Sequence, residues 1–406
     1  RLFCAPTRAD QPVAMVHPNP VFRAQVLGAG PTGALAALAL ARAGWQVRIC
    51  DPLPASALVE RNRAYAFSHS SQRLLCQLGL WSSLEQVMVP FRRLELVDLA
   101  VERQVGFTSA DLGPGPGPAT ATLSPTAVGW IAQHQLLLPP LLAALAADPA
   151  VVLELGSPPV QSSLPPPDLV VAADGPHSPS RAALGIGALH WAYSQNCLTC
   201  LVQLRGSAND QAWELLRPEG PFAVLPLGDG IFQLVWSAPA RRCRQLESLG
   251  DGAFLDALAG ALPDGLQPDA LLDAPRAYPV GLLLAHRLHR GRTVLVGESG
   301  HRCHPVGGQG LNLCWRDVAQ LQRLAGQVVA GRLAVERLPA AYGRRRWPDL
   351  LLTLLATDLL VRLFSNRSPL LLPIRHLALL LLDRLPPLRQ LALAAMTHGP
   401  CQLLRQ

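Results

Sequence analysis

Apolar residues in this 406-residue chain fall into distinct kinds of run, and their order along the sequence outlines a fold. Short, nearly continuous runs read as buried strands: Val21-Phe-Arg-Ala-Gln-Val-Leu27, Gln46-Val-Arg-Ile-Cys50, Val128-Gly-Trp-Ile-Ala-Gln133, Leu169-Val-Val-Ala-Ala173 and Thr293-Val-Leu-Val296. Helix-spaced runs lie between them. Ala34 begins one that Gly44 ends, Ser68 to Ser71 can cap a second that stops at Gly79, and Leu311 begins a third. A Leu-rich run from His134 carries Pro139-Pro140. Such a pair removes donors and clashes with the preceding turn, so this helix is expected to break or to begin later.

Residues 190–280 change character. Cys197–Leu204, Phe222–Leu227 and Ile231–Trp236 read as strands separated by turns, with no helix between them, which predicts an antiparallel sheet. From Leu338 onward the chain is Leu-rich and helical. The expected organisation is an α/β domain of residues 21–188 and 285–340, interrupted by an antiparallel-sheet substrate domain of residues 189–284 and followed by a helical region over 341–406. Residues 1–20 read as an irregular extension with Met15 as a candidate start, and residues 112–126, rich in Gly, Pro, Ala and Thr, as a loop.

Composition narrows the function classes. Half the residues are hydrophobic, 16% are charged, the net charge is +7, and no residue is lysine. That absence excludes a Schiff-base lysine, a Walker A phosphate loop and any lysine acid or base. The arginines are dispersed and no aromatic-interleaved basic stripe exists, which argues against nucleic acid. A membrane surface stays open as an electrostatic partner. Arg344, Arg345, Arg346, Arg362, Arg367, Arg375, Arg384 and Arg389 are spread along the C-terminal helices, which read either as plain core or as an amphipathic surface resting on a bilayer. Nine cysteines without framework spacing suit a reducing, cytoplasmic compartment. Cys197-x-x-Cys200 reads as two packed thiols, and no segment is apolar for long enough to span a bilayer.

Three stretches carry the chemistry. Gly28-Ala-Gly-Pro-Thr-Gly33 follows a strand, opens a helix and precedes a strand ending at Asp51, which is the dinucleotide fingerprint in its required context. Gly28 makes the turn, Gly30 clears space for the pyrophosphate, Gly33 lets helix and strand pack, and the Asp51 carboxylate can accept from a ribose diol. Asp174-Gly175 is delivered to the carboxyl end of a buried strand, with Ser178 and Arg181 following on a short helix. The third is Gly297-Glu-Ser-Gly-His-Arg-Cys-His-Pro-Val-Gly-Gln-rich turn and helix, running to Asp317. Its glycines let backbone amides approach a ligand, and the helix points its positive end at them, which suits an anion or a ring that gains negative charge. His301, Cys303 and His304 could be imagined as metal ligands, but the glycine turn beside them favours a cofactor, and no metal is required.

These three elements in this order resemble the aromatic-ring flavin monooxygenases. Arg63 to Trp81, Gly220-Pro-Phe-Ala-Val-Leu-Pro-Leu227, and Tyr342-x-x-Arg-Arg-x-x-Asp349 followed by Thr357-Asp358 and Phe364-Ser365 are similar to the polyprenyl-phenol hydroxylases of quinone biosynthesis within that family. The resemblance implies a Rossmann-like FAD-binding domain interrupted by the substrate sheet. It places Gly28, Gly30, Pro31, Thr32, Gly33 and Asp51 at the ADP half of FAD, with Arg63 and His134 near its ribityl and phosphate region. Asp174 and Gly175 would serve FAD and the incoming NAD(P)H, and Glu298 the ribityl chain. Pro305, Gly308, Gln309, Gly310, Leu311 and Asn312 would line the isoalloxazine, with Pro305 and Gly308 nearest the reacting face. The implied activity is hydroxylation of a prenylated phenol by O2 through a flavin hydroperoxide. A reductase or epoxidase acting on an isoprenoid, or a non-catalytic subunit of a quinone-synthesis assembly, remains an alternative. Two positions depart from the family pattern: Glu298-Ser-Gly-His301 stands where Asp-Ala-Ala-His is usual, and Cys314 follows Asn312-Leu where glycine is usual.

Overall fold

A computed structural model describes residues 21–112, 127–157, 166–206 and 208–403. The expected extension over 1–20 and nearly all of the 112–126 loop lie outside the described residues. Five parallel strands and one short antiparallel edge form a six-stranded sheet in the order His289–Arg290, Thr293–Leu295, Leu169–Ala172, Arg23–Leu27, Gln46–Asp51, Val151–Leu155. The helix Pro31–Arg42 crosses this sheet with Gly33 to Leu40 wholly buried. Its run of Ala and Leu lets it pack both on the sheet and against the helices His134–Ala147 and Gln309–Val329.

The helix His134–Ala147 is continuous, contrary to the expected break at Pro139-Pro140. The carbonyls that lose their donors belong to Gln135 and Leu136, and both residues are exposed to solvent. The buried face of this helix, Leu137, Leu138, Leu141, Leu142 and Leu145, supplies the apolar contact that holds it straight.

The second sheet has nine strands and extends beyond residues 189–284. Its backbone is the long strand Ala188–Arg205, paired with Ile231–Pro239, Arg276–Ala285 and Gln267–Leu271. Phe222–Pro226 and Gln211–Leu216 continue it, and Arg93–Asp98 then joins Gln211–Leu216 in parallel, bringing Arg103–Thr108 with it. The sheet is therefore antiparallel except at that one join. An earlier hairpin enters because Gln211–Leu216 is buried along its whole length and needs a partner on its outer edge. At the opposite edge, His301–Arg302 pairs with Arg276–Ala285, so the stretch just before the second glycine turn belongs to this sheet. Ala64–Phe67, Gly129–Gln133 and Val89–Phe91 form a separate three-stranded sheet.

The C-terminal region comprises the helices Leu338–Phe364, Leu372–Arg384, Pro386–His398 and Pro400–Leu403. Arg375 forms a fully buried two-pronged pair with Asp98, at 2.8 and 2.5 Å, and Arg389 meets Asp111 at 2.7 Å. These pairs fasten the terminal helices across the hairpin of the large sheet. The two readings of the arginine-rich tail thus divide by residue: Arg346 and Arg375 are core, whereas Arg344, Arg362, Arg367 and Arg384 are exposed.

Candidate active site

The first glycine turn is built by steric exclusion. Gly28 has φ +101, and a Cβ there would sit 2.5 Å from the Ala173 carbonyl oxygen. A Cβ on Gly33 would fall 1.9 Å from the Gly28 carbonyl oxygen, so both positions are closed to side chains by the protein itself. Gly30 differs: its Cβ would meet nothing within 4 Å, and it is the N-cap of Pro31–Arg42 with no side chain capping the helix. The first-turn amides therefore face open space bounded by protein, as a pyrophosphate cradle requires. Pro31 occupies the first helical position and is buried. Asp51 ends its strand with its carboxylate accepting from the amides of Ala29 at 2.8 Å and Leu53 at 2.9 Å, which orients it beside the turn.

Asp174 and Gly175 emerge from the strand Leu169–Ala172. The Asp174 carboxylate accepts from the Ser178 hydroxyl at 2.5 Å and the Ser180 amide at 2.9 Å. Arg181 reaches the carbonyls of Ser299 at 2.7 Å and Pro176 at 2.9 Å, tying this loop to the Gly297–Ser299 turn. Gly175 has φ +84 and open space where a side chain would stand.

At the second glycine turn, Gly307 and Gly308 both lie in the left-handed region at φ +66 and +62, a pair of conformations that other residues rarely adopt in succession. The Gly308 amide donates to the Pro305 carbonyl at 3.0 Å and is therefore already used within the turn. The amides left free at the start of the helix Gln309–Val329 are those of Gln309, Gly310 and Leu311, since its first-turn donors have no intrahelical partner. The Asn312 amide belongs to the helix. Its side chain is a strut: it accepts from the Ser68 amide and Ser71 hydroxyl at 2.9 and 2.7 Å and donates to the carbonyls of Ala66 and Gly308 at 2.8 and 2.9 Å. Ser68 and Ser71 thus bind the turn instead of capping their own helix, His69–Gln77.

The helix after the second turn packs against the helix after the first, and Cys314 lies at that contact. Its buried thiol lies against Gly297, 3.3 Å from where a Cβ would be, and the Thr32 methyl lies 2.9 Å from the same point. The side chain that replaces the usual glycine is accommodated because Gly297 has none. This contact joins the helices behind the first and second glycine turns.

Arg63 lies over the Tyr65 ring at 5.9 Å; the neighbouring Tyr65 raises its pKa, burial opposes the rise, and Glu298 adds to it. Glu298 is partly exposed and pairs with Arg302 at 3.7 Å. His134 is buried with both ring nitrogens occupied, Nε2 by the Leu58 carbonyl at 2.7 Å and Nδ1 by the Tyr65 hydroxyl at 2.9 Å. It holds the strand carrying Tyr65 rather than offering a free nitrogen to a ligand. Burial raises the Tyr65 hydroxyl to about 12 and keeps it a donor.

His301 and His304 have separate tasks. His301 Nε2 meets Asp317 at 2.6 Å in a buried network in which Arg346 contacts Asp317 at 2.6 Å and Asp349 at 2.7 Å, and Arg316 contacts Asp349 at 2.9 Å. The Arg346 and Asp349 of the late signature therefore anchor the helix that heads the second turn. His304 Nδ1 accepts from the Val306 amide at 3.1 Å and its Nε2 faces Gln195 Oε1 at 3.2 Å, while burial lowers its pKa to about 3. Tyr193 stands edge-on to His304 and donates to Asp358 at 2.9 Å. Sequence reasoning missed Tyr193 and Gln195, because a β-bulge between Ala192 and Asn196 with Ser194 at φ +56 re-aims them, and bulges leave no periodic signal. Cys197 and Cys200 are both buried on opposite faces of one strand and cannot share a ligand.

The chain is similar to known proteins over most of its length. A family model described as FAD binding domain matches residues 22–154 and 166–349. The 3-demethoxyubiquinol 3-hydroxylase of Escherichia coli is 30% identical, with 91% of this chain and 96% of that protein covered. The ubiquinone hydroxylase UbiL of Rhodospirillum rubrum is 32% identical, with 92% and 90% covered. Among solved structures, Klebsiella pneumoniae HpxO in complex with FAD and uric acid superposes with a TM-score of 0.71 over 94% of this chain and 98% of that one, at 20% identity, a likeness of fold.

Proposed function

Because the chain belongs to the FAD-binding-domain family, we propose that it is an FAD-dependent monooxygenase hydroxylating the ring of a polyprenylated phenol or quinone precursor, with NAD(P)H as electron donor and O2 as co-substrate. What supports the site assignment is that Thr32 of the first glycine turn and Cys314 of the helix after the second converge on Gly297. In this reading the open space at Gly30 receives the pyrophosphate, Asp51 the ribose, and Arg63 and Glu298 flank the middle of the cofactor. Bound and reduced, FAD supplies the activation of O2. The amides of Gln309, Gly310 and Leu311 hold the ring edge on which negative charge grows, reinforced by the helix dipole. Leu216, Leu225 and Phe364 pack in one apolar cluster, which in this reading would keep water from the reacting face.

The test is isotopic. With FAD, NADPH, labelled O2 and a prenylated phenol, label is expected in the aromatic ring. Label in an alkene would favour an epoxidase, and oxidation of NADPH without oxygen transfer would favour a reductase.

We further propose that the protein takes its substrate from a membrane surface. No helix among the described residues is long and apolar enough to cross a bilayer. The C-terminal helices nevertheless expose Leu355, Leu359, Ile374, Leu377 and Leu391 at helical spacing, with Arg362, Arg367 and Arg384 around them. Converting Leu355 and Leu359, 64% and 63% exposed, to Glu should cut co-sedimentation with anionic lipid vesicles by roughly tenfold or more while leaving bound flavin and thermal stability unchanged. Unaltered vesicle binding would refute the surface.

A further inference from the structure

His304 stands immediately before Pro305, is wholly buried, and has both ring nitrogens occupied. Nδ1 accepts from the Val306 amide at 3.1 Å, and Nε2 faces Gln195 Oε1 at 3.2 Å. The Gln195 side-chain nitrogen donates in turn to the Glu219 carbonyl at 3.0 Å. Backbone groups at the two ends fix the sense of every bond. The Val306 N–H can only donate, so Nδ1 carries the lone pair and the ring proton sits on Nε2. The Glu219 carbonyl can only accept, so Gln195 presents its nitrogen to Glu219 and its oxygen to His304. A hydrogen-bond chain of one polarity therefore links the second glycine turn to the nine-stranded sheet.

The ring is also held on its face. Tyr193 stands edge-on to the imidazole, with centroids 5.1 Å apart at 88°, and donates to Asp358 on the helix Leu338–Phe364 at 2.9 Å. Tyr193 and Gln195 flank Ser194, whose φ of +56 marks the bulge in their strand. Such a conformation persists where surrounding contacts over-determine it.

We propose that His304, oriented by Gln195, is a positioning residue for the second glycine turn: by holding the Val306 amide from the sheet, it sets the aim of the free amides of Gln309, Gly310 and Leu311. The proposal rests on the reading that this turn faces the flavin. Val306 leads directly into Gly307 and Gly308, both left-handed, and glycine moves between conformations at little steric cost. Asn312 and Gln309 brace the helix side of the turn, through the carbonyls of Gly308 at 2.9 Å and Met396 at 3.1 Å. His304 braces the side that precedes the glycines.

The imidazole serves only while it is neutral, since a second ring proton would set Nδ1–H against the Val306 N–H. Burial lowers His304 to about 3, against the opposing pull of Asp358. Burial raises the neighbouring Tyr193 hydroxyl and Cys303 thiol, which stay protonated.

The test uses full-length protein, freed of flavin and reconstituted with FAD, as wild type, H304N, H304L, Q195L and G310V. Asparagine keeps an acceptor where Nδ1 stands, whereas leucine keeps bulk without it. H304N should bind FAD within about threefold of wild type and H304L at least about tenfold more weakly, as for a buried amide left without its acceptor. The aim of the amides matters most to the reduced ring, which carries added negative charge, so H304L should lose affinity for reduced flavin preferentially. Its midpoint potential then falls by about 30 mV for each tenfold of that preference. In 15N spectra of wild type, the histidine signal absent from H304N should be that of a neutral ring protonated on Nε2, and Q195L should convert it to a mixture of tautomers. Wild-type affinity in H304L, equal loss in H304N and H304L, or an unmoved potential in H304L overturns the proposal. So does an Nδ1-protonated ring in wild type or an unchanged signal in Q195L, and the wild-type spectrum stands however the variants fold. G310V separates the underlying reading. Its side chain would enter open space, where nothing lies within 4 Å, so undiminished FAD binding by G310V would remove the flavin from this turn altogether.

Discussion

Replacing Gly30 by valine is expected to empty the protein of FAD and leave its fold intact. The position has φ −67 and ψ 179, which any residue adopts, and a Cβ there meets no protein atom within 4 Å. The added side chain therefore costs the apoprotein little. It occupies the space through which a pyrophosphate approaches the helix N-terminus, so affinity should fall by roughly a hundredfold or more. Gly33→Ala provides the contrast, because its Cβ would lie 1.9 Å from the Gly28 carbonyl oxygen and would force strand and helix apart. The expected pattern is folded, colourless protein for Gly30→Val and little folded protein for Gly33→Ala. The measurements are the flavin absorbance of purified protein and its circular dichroism. A yellow Gly30→Val protein with normal flavin content would show that the dinucleotide lies elsewhere.

The second large effect is expected at Asp317. This carboxylate is wholly buried and holds His301 and Arg346 at 2.6 Å each, besides accepting from the Gly297 amide at 2.8 Å. Asp317→Ala leaves Arg346 buried without that partner and should lower stability by about 3–5 kcal/mol, read as a shift in urea midpoint. The same group gives a pH dependence of definite sign. Burial pushes its pKa up, but His301 and Arg346 outweigh burial and hold it at about 2. A carboxyl depressed in the folded state stabilises above its ordinary pKa, so this contribution is complete at neutral pH and is lost as pH falls from about 4 toward about 2. Asp317→Asn should flatten the stability profile in that interval. An unchanged acid limb would mean that other carboxylates govern it.

The two effects differ in kind. Gly30 acts through empty space, so its loss is seen when ligand is added. Asp317 acts through a network reaching Arg346 and Asp349 on the helix Leu338–Phe364, and so couples the second glycine turn to the C-terminal region. A helix positioned by buried charge pairs has few alternative placements, because each shift would strand an ion. That suits an element whose exposed amides must be aimed.

Local rules were enough to read the strand–turn–helix at residues 21–51 and the glycine turn before Gln309, because glycines excluded by close backbone contact and free helix N-termini are properties of a few adjacent residues. The sequence likewise indicated the sheet between Ala188 and Ala285 through its first strands, but not the helices Ala240–Glu247 and Asp251–Ala259 inserted before its last ones. It did not disclose the parallel join of Arg93–Asp98 to Gln211–Leu216, since pairing between distant strands leaves no periodic mark on either one. Nor did it show that His134 and Asn312 use their side chains to brace other elements. The residue types at these positions suit a ligand as well as a neighbour. Composition determined which backbone conformations and ligand classes were open to this chain, but only tertiary packing decided which polar atoms are consumed inside the protein and which remain to bind, because each buried donor takes the nearest acceptor the completed fold supplies.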